Sequence, residues 1–332
     1  MKTFYYLLRG DNEEIGFGEA RALLSIYSGN YRFLNCYTSI CIFQHQEQIY
    51  EKVIRRSSFI KEAGIVDEII DLYDADPNYI KNIIGDNTVK VRVIKGTCSV
   101  DRIKELLREL FRLKRIYGKT GFYEKVLYCS ENKLIIGYNP LSIDSKELDR
   151  RKPSLRPFFR SIALKPSIAR LLINLARIRE GEVLLDPFAG TGSIPIEAGL
   201  LGLRYIAVEL DEELVRGMKI NLEHYGVFNN GLVVHGDSTE LSYSVVDGIA
   251  TDPPYGRSTK TFGSKVIRIY NEFLNLASNY IKKNGFISFL APLVIEDYVD
   301  ESIYRNDFIL YDKHYLYVHG GLTRVVYEVV KN

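Results

Sequence analysis

The stretch EVLLDPFAGTGSIPIEAGLLG, residues 182–202, decides the fold. An apolar run ends in Asp186, and a turn containing Gly190 and Gly192 leads into a helical pattern. Glycine lets the backbone approach a ligand closely, and the free amides at the helix start suit a carboxylate or phosphate. The same strand, turn and helix order repeats downstream. Helix SIARLLINLARI precedes it, and strand RYIAVEL, helix DEELVRGMKINLEHYG, strands GLVVHGD and VDGIATD, a long helix through SKVIRIYNEFLNLASNYIKK and strand GFISFLAP follow. Strands alternating with helices of this length predict an α/β, doubly wound, mostly parallel sheet. Two last runs, DFILYDKHYLYVH and TRVVYEVV, are joined by a short GGL and predict an antiparallel C-terminal hairpin on the edge of that sheet.

The 332 residues, 46% hydrophobic and 26% charged, suffice for about two domains with real cores. A net charge of +2 means that any affinity for nucleic acid must come from local patches. Cys36, Cys41, Cys98 and Cys129 have neither C-x-x-C spacing nor a histidine set of the kind zinc requires, so reduced, buried thiols, a cytoplasmic setting and no metal are expected. No signal peptide and no run of about 20 apolar residues is found, which argues against a membrane partner. Residues 1–140 mix strand-like runs (KTFYYLLRG, VKVRVIKG) with an amphipathic helix, SVDRIKELLRELFRL, whose apolar face is Ile103, Leu106, Leu107 and Leu110. This is the pattern of a smaller α+β domain. A basic connector containing Pro153 and Pro157 occupies residues 141–164 and the alternating domain residues 165–332.

In an open parallel sheet, ligands bind beyond the carboxyl ends of the strands, near the point where strand order reverses. The strands deliver Asp186, Glu209, Asp237 (followed by Ser238) and Asp252 to that edge. Singly, each acid has a plain reading. Glu209 and Asp211 suit a helix cap, as does Asp237, and Asp252 to Gly256 suits a strand-ending turn. Glu209 also lies about 20 residues beyond the loop, where an acid accepts hydrogen bonds from a ribose diol. Together the four acids fit a ribonucleoside without phosphates, since this much negative charge repels a pyrophosphate. Adenosine on a sulfonium cation meets that requirement. The loop GTGSIP lacks the lysine of a nucleotide triphosphatase and departs from the G-x-G-x-x-G of a dehydrogenase.

The fourth strand runs into VDGIATDPPYGRST, residues 246–259. Two prolines stop sheet pairing and hold the next atoms rigidly. In the order DPFAGTG, VEL, GD, DPPY, roughly residues 155–332 resemble the S-adenosylmethionine-dependent amino-methyltransferases, which modify exocyclic nitrogens. The resemblance implies a Rossmann-like methyltransferase domain with S-adenosyl-L-methionine as cofactor. Asp186, Gly190 and Gly192 would border its methionine part, Glu209 the ribose and Asp237 the adenine, with Phe188, Thr191 and Ser238 completing the pocket. It further implies that the Asp252 carboxylate and the Pro253 carbonyl accept the two hydrogens of a planar amine, stiffened by Pro254, while Tyr255 stacks on the base. Catalysis is then positional and electrostatic.

TDPPYGRST together with RKPSLRPFFRSIALKPSIARLLINLAR resembles the archaeal tRNA guanine methyltransferases that act on the exocyclic amine of guanosine-10, and their eukaryotic catalytic-subunit relatives. The chain departs from them at Arg160 and Ser161, after RPFF. This resemblance implies N2 methylation of a tRNA guanosine, once or twice, and a THUMP-containing RNA-binding half over residues 1–140. The partner would be tRNA, with room for a small activating protein subunit, on a monomer. Two basic clusters offer phosphate contacts: Arg108, Arg112, Lys114, Arg115 and Lys119, then Arg150, Arg151, Lys152, Arg156 and Arg160. Arg156, Phe158 and Arg257 are the candidate substrate-binding residues. A solvated helix face, for the first cluster, and junction packing, for Phe158, are the competing readings. The alternative substrates are another RNA base, DNA adenine or protein glutamine. The last two usually go with Asn where this chain has Asp252.

Overall fold

The computed structural model describes residues 1–10, 12–94, 96–113, 124–161, 163–254, 264–319 and 322–332. The chain forms two compact units, residues 1–20, 27–55 and 59–143 in the first and 21–26, 56–58 and 144–332 in the second.

The N-terminal elements are β1 (Lys2–Leu8), α1 (Glu13–Tyr27), β2 (Arg32–Tyr37), β3 (Ile40–His45), α2 (Ile49–Arg56), β4 (Ile60–Asp71), α3 (Pro77–Ile84), β5 (Val89–Val93), α4 (Val100–Leu113), β6 (Lys125–Ser130) and β7 (Lys133–Ser142). Their seven strands lie in the order β2-β3-β1-β4-β7-β6-β5, antiparallel except for β5 beside β6. The Asp76 side chain caps α3 by accepting from the Asn78 amide at 3.0 Å, with Pro77 in the first turn. As its period predicts, α4 buries Ile103, Leu106 and Leu110 against Leu127, Leu134 and Ile136 of β6 and β7.

The cysteines differ from expectation. Cys36 and Cys41 form a disulfide, as do Cys98 and Cys129, with Cα separations of 4.0 and 6.3 Å. The cause is strand register: Cys36 pairs directly across from Cys41 on β2 and β3, and Cys129 near the end of β6 is carried beside Cys98. Spacing along the chain contains neither fact.

The second unit continues with α5 (Ser145–Asp149), α6 (Pro166–Leu175), β8 (Val183–Asp186), α7 (Ser193–Leu200), β9 (Arg204–Glu209), α8 (Glu212–His224), β10 (Gly231–His235), β11 (Val246–Thr251), α9 (Ser264–Tyr280), β12 (Ile281–Pro292), α10 (Glu296–Arg305), β13 (Phe308–His319) and β14 (Leu322–Lys331). Strand order is β10-β9-β8-β11-β12-β14-β13, parallel through β12 and antiparallel beyond. The expected doubly wound sheet and terminal hairpin are both present. Order reverses between β8 and β11, so their carboxyl ends flank the switch point.

Two details refine the expectation. The last strand, not the one before it, lies against β12. Val325, Val326, Tyr327 and Val329 of β14 are fully buried, whereas Ile309, Tyr311, Tyr315 and Tyr317 of β13 are exposed, as an edge strand requires. Helix α9 also ends at Tyr280 rather than running through Lys283, because Lys282 already belongs to the sheet. Its ammonium bonds Glu182 and Asp247, each at 2.8 Å, at the start of β8 and on β11. Among the described residues no helix is long and apolar enough to cross a membrane.

Candidate active site at the carboxyl edge of the second sheet

Asp186 closes β8 and is 1% exposed. Its Oδ1 accepts from the Thr251 hydroxyl at 2.7 Å and from the Phe188 amide at 3.3 Å. Burial pushes its carboxyl up to about 7 against those two bonds, and the nearby charges of Glu209 and Asp252 push the same way. Three of the four predicted acids therefore share one electrostatic neighbourhood. Glu209 ties the loop to the second strand: its Oε2 accepts from the Gly190 amide at 2.8 Å and its Oε1 from the Asp211 amide at 2.9 Å. Asp211 caps α8, accepting from Glu213 and Leu214 at 2.8 and 3.2 Å, while Glu209 bonds the loop and the cap residue with one oxygen each. Asp237 folds onto its own turn, accepting from the amide and hydroxyl of Thr239 at 2.9 and 2.7 Å, and Ser238 is buried beside it.

The glycine loop has room for a ligand. Gly190 and Gly192 sit at φ 54° and 86°, the left-handed region, and a Cβ on Gly190 would meet nothing within 4 Å. Between them the Thr191 hydroxyl is buried without a hydrogen-bond partner. Phe188 is half-buried, edge-on to Phe273 of α9 with ring centroids 5.9 Å apart, so it is partly core and partly wall.

Asp252 follows β11 directly. Its Oδ2 accepts from Nη1 of Arg324 at 3.0 Å, while its Oδ1 is shut off from solvent with no partner. Burial raises this carboxyl to about 6, and Arg324 opposes the rise. Pro253 is buried and Pro254 exposed. Tyr255 and Arg257 lie outside the described residues, as do Lys114, Arg115 and Lys119 of the first basic cluster.

The connector residues do something other than expected. Arg156, 5% exposed, donates to the Ser193 hydroxyl at 2.7 Å and to the Arg151 carbonyl at 3.2 Å. Its burial makes it a brace for the first turn of α7, next to the glycine loop, in place of the predicted substrate contact. Arg151 and Arg170 both pair with Glu197 of α7, at 2.8 and 2.7 Å, and Glu197 is completely buried. Phe158 packs on α8, where a Cβ on Gly217 would stand 2.1 Å from its ring. Asn221 bonds both backbone groups of Phe158 at 3.0 Å and the Thr191 carbonyl at 3.0 Å. Arg160 pairs with Glu213 and lies over the Phe158 ring. Local acids engage part of the cluster, Glu147 pairing with Arg151, Asp144 with Arg150 and Asp149 with Lys152, but the buried or distant partners Glu197 and Glu213 are remote in sequence and invisible in one dimension. Asn221, Glu197, Thr251 and Arg324 are the site residues that sequence reasoning missed.

One further cluster of potential metal ligands, Asp312, His314 and Glu328, occurs among the described residues. Arg177 already occupies Glu328 at 2.9 Å and His314 its other oxygen at 2.9 Å, so the group reads as an ion-pair network.

Residues 153–324 match the RMKL-like methyltransferase domain family. The chain is 31% identical to the tRNA (guanine(10)-N2)-dimethyltransferase of Methanocaldococcus jannaschii, over 98% of this chain and 99% of that protein. It is 39% identical to the protein of the same description from Methanothermobacter thermautotrophicus over 56% of this chain, a match spanning 55% of that relative. Among solved structures, TrmN from Thermus thermophilus superposes with a TM-score of 0.58 at 16% identity, covering 99% of this chain and all of that one, which speaks to the fold. By the family match over half of its length and the full-length relative, the chain belongs to the RMKL-like methyltransferases, in the S-adenosylmethionine-dependent family of tRNA guanine-N2 methyltransferases.

Proposed function

We propose that this protein methylates the exocyclic N2 of a guanosine in tRNA, at position 10, once or twice. The observation that carries the reading is the geometry of Asp252, one oxygen held by Arg324 and the other buried and unpartnered beside a rigid proline pair. Asp186, Gly190, Thr191, Gly192 and Glu209 would hold S-adenosylmethionine, with Phe188, Asp237 and Ser238 at the adenosine end. Once bound, the cofactor supplies an electrophilic methyl group on a sulfonium cation. The chain's own part is to hold the amine: Oδ1 of Asp252 and the Pro253 carbonyl each accept one of its hydrogens, which turns the nitrogen lone pair toward the cofactor side. Asp252 also stabilises the positive charge that develops on nitrogen and takes up the proton it sheds. A guanine in a stacked stem must first be extracted, at a cost of a few kcal/mol. Tyr255 is the stacking partner we assign to the extracted base, and Arg257 its phosphate contact.

For the tRNA backbone, the first unit offers Lys61, Arg92 and Arg9, with Lys90 nearby but already paired to buried Glu62 at 2.6 Å. Burial first, then the charges of Arg92, Lys90 and Arg9 against that of Glu62, hold the Lys61 ammonium below its ordinary range. We assign this unit the role of a THUMP-like RNA-binding domain and place the monomeric enzyme in the cytoplasm with its tRNA, with an activating subunit as the remaining partner.

Cofactor binding is expected to release a proton. The Asp186 carboxyl is partly protonated at pH 6.5, and a cationic ligand favours its ionised form. Affinity should therefore rise with pH up to about 7 and level off above, by as much as roughly tenfold per unit for one linked proton. Calorimetry in buffers of different ionisation enthalpy checks the sign; proton uptake would contradict it. In the ligand-free protein the same group lowers stability as pH rises from about 4 to 7, because the unfolded chain has by then released the proton that the fold retains.

The reading is tested by transfer from labelled S-adenosylmethionine to unmodified tRNA transcripts carrying guanosine or adenosine at position 10, followed by nucleoside analysis. Label in N2-methylated guanosine of the first transcript alone is the expected result. Label in adenosine, or in neither transcript, would contradict it.

A further inference from the structure

Arg324 stands at the amino end of β14, the strand that enters the sheet antiparallel to β12. An antiparallel strand brings its amino end to the edge where the parallel strands finish. Accordingly Arg324 is registered against Pro292, the last residue of β12, and faces the carboxyl end of β11. This is how a residue 72 positions away comes to bond Asp252. Both side chains are largely shielded, at 14% and 18% exposure, so the pair is not a loose surface contact.

The chemistry asks Asp252 for two things: a fixed direction and a negative charge. Its surroundings work against the charge. Burial favours the neutral acid, and the other titratable groups near enough to feel it among the described residues, Asp186 of β8 and Tyr270 of α9, bring no positive charge. A protonated Asp252 could neither stabilise a developing cation nor accept its proton.

We propose that Arg324 is a positioning residue for methyl transfer: it pins Oδ2 of Asp252 and holds the carboxylate as an anion, leaving Oδ1 for the substrate amine. The role rests on the function proposed above and extends it to the terminal hairpin, which no glycine loop or proline pair marks as part of the site. In this role the guanidinium works indirectly. It acts through the carboxylate, so its loss should change how Asp252 titrates and leave the cofactor pocket alone.

The test uses the full chain with Arg324→Gln and Arg324→Lys. In Arg324→Gln the acid limb of the kcat profile should move up by about two pH units, and kcat at pH 7 should fall by roughly tenfold, recovering toward pH 9. KM for the cofactor should stay within about twofold, and Arg324→Lys should restore most of the rate, since a lysine keeps the charge while losing the fork. An unmoved acid limb overturns the proposal. So does a rise in KM for tRNA with kcat intact, which would assign Arg324 to an RNA phosphate. A titration of the Asp252 carboxyl by carbon-13 NMR, assigned with Asp252→Asn, needs no RNA, and Arg324→Lys serves if the glutamine variant fails to fold. A wild type active on tRNA whose Asp252 titration ignores Arg324 sinks this role alone; a wild type inactive on tRNA sinks the reaction and the role together.

Discussion

Replacing Asp252 by alanine is expected to lower methyl transfer by about 10³-fold or more while cofactor affinity changes by less than about twofold. Asp252 bonds Arg324 and turns its second oxygen away from solvent, whereas the glycine loop proposed to hold the cofactor is fixed by Asp186, Glu209 and Asn221. Binding and chemistry therefore separate at this residue. Asp252→Asn keeps an oxygen for Arg324 and loses the charge, so it should stay folded and remain slow, which distinguishes a missing anion from a disturbed fold. Equilibrium dialysis of labelled cofactor beside single-turnover transfer measures both quantities. Loss of cofactor binding with transfer retained would reverse the assignment.

Glu197→Ala is expected to cost about 3–5 kcal/mol of stability, because it strands Arg170 in a buried site and leaves Arg151, among the described residues, only its contacts with Glu147. A buried ion pair is a poor net stabiliser but an expensive one to break, since the surviving charges have lost their solvent and their partner together. Replacing all three residues by apolar side chains of similar volume should recover most of the loss. Urea denaturation followed at two wavelengths compares the variants. A Glu197→Ala protein within about 1 kcal/mol of wild type would show that these arginines find other partners. Because Glu197 sits on the helix that follows the glycine loop and Arg156 braces that helix at Ser193, weaker cofactor binding is the functional correlate.

The sequence was most legible where a candidate site residue sits at the end of a regular element. A strand must stop somewhere, and the residue after Leu185, Val208 or Thr251 stands out because alternation makes the end visible. The acids at Asp186, Glu209 and Asp252, the Asp211 cap and the amphipathic face of α4 were all readable for this reason. Whatever depends on register between distant segments was not. The pairing of Cys36 with Cys41 follows from hairpin alignment, the meeting of Arg324 with Asp252 from an antiparallel strand inserted beside a parallel one, and the fate of Arg151 and Arg156 from a connector folded onto α7. Each of those residues looks ordinary in its own neighbourhood, and an arginine-rich stretch looks like a surface for phosphate. Composition could not separate the two outcomes, because a buried guanidinium and an exposed one have the same sequence.

The central claim is that the site holds an exocyclic amine and delivers the methyl group to its nitrogen. Its most direct test is transfer to a tRNA transcript carrying inosine, which lacks the 2-amino group, in place of guanosine at position 10. The account requires that the inosine transcript take up no label even at saturating concentration, while the guanosine transcript is methylated. Label incorporated into the inosine nucleoside would contradict it, because some other atom of the base would then be the acceptor.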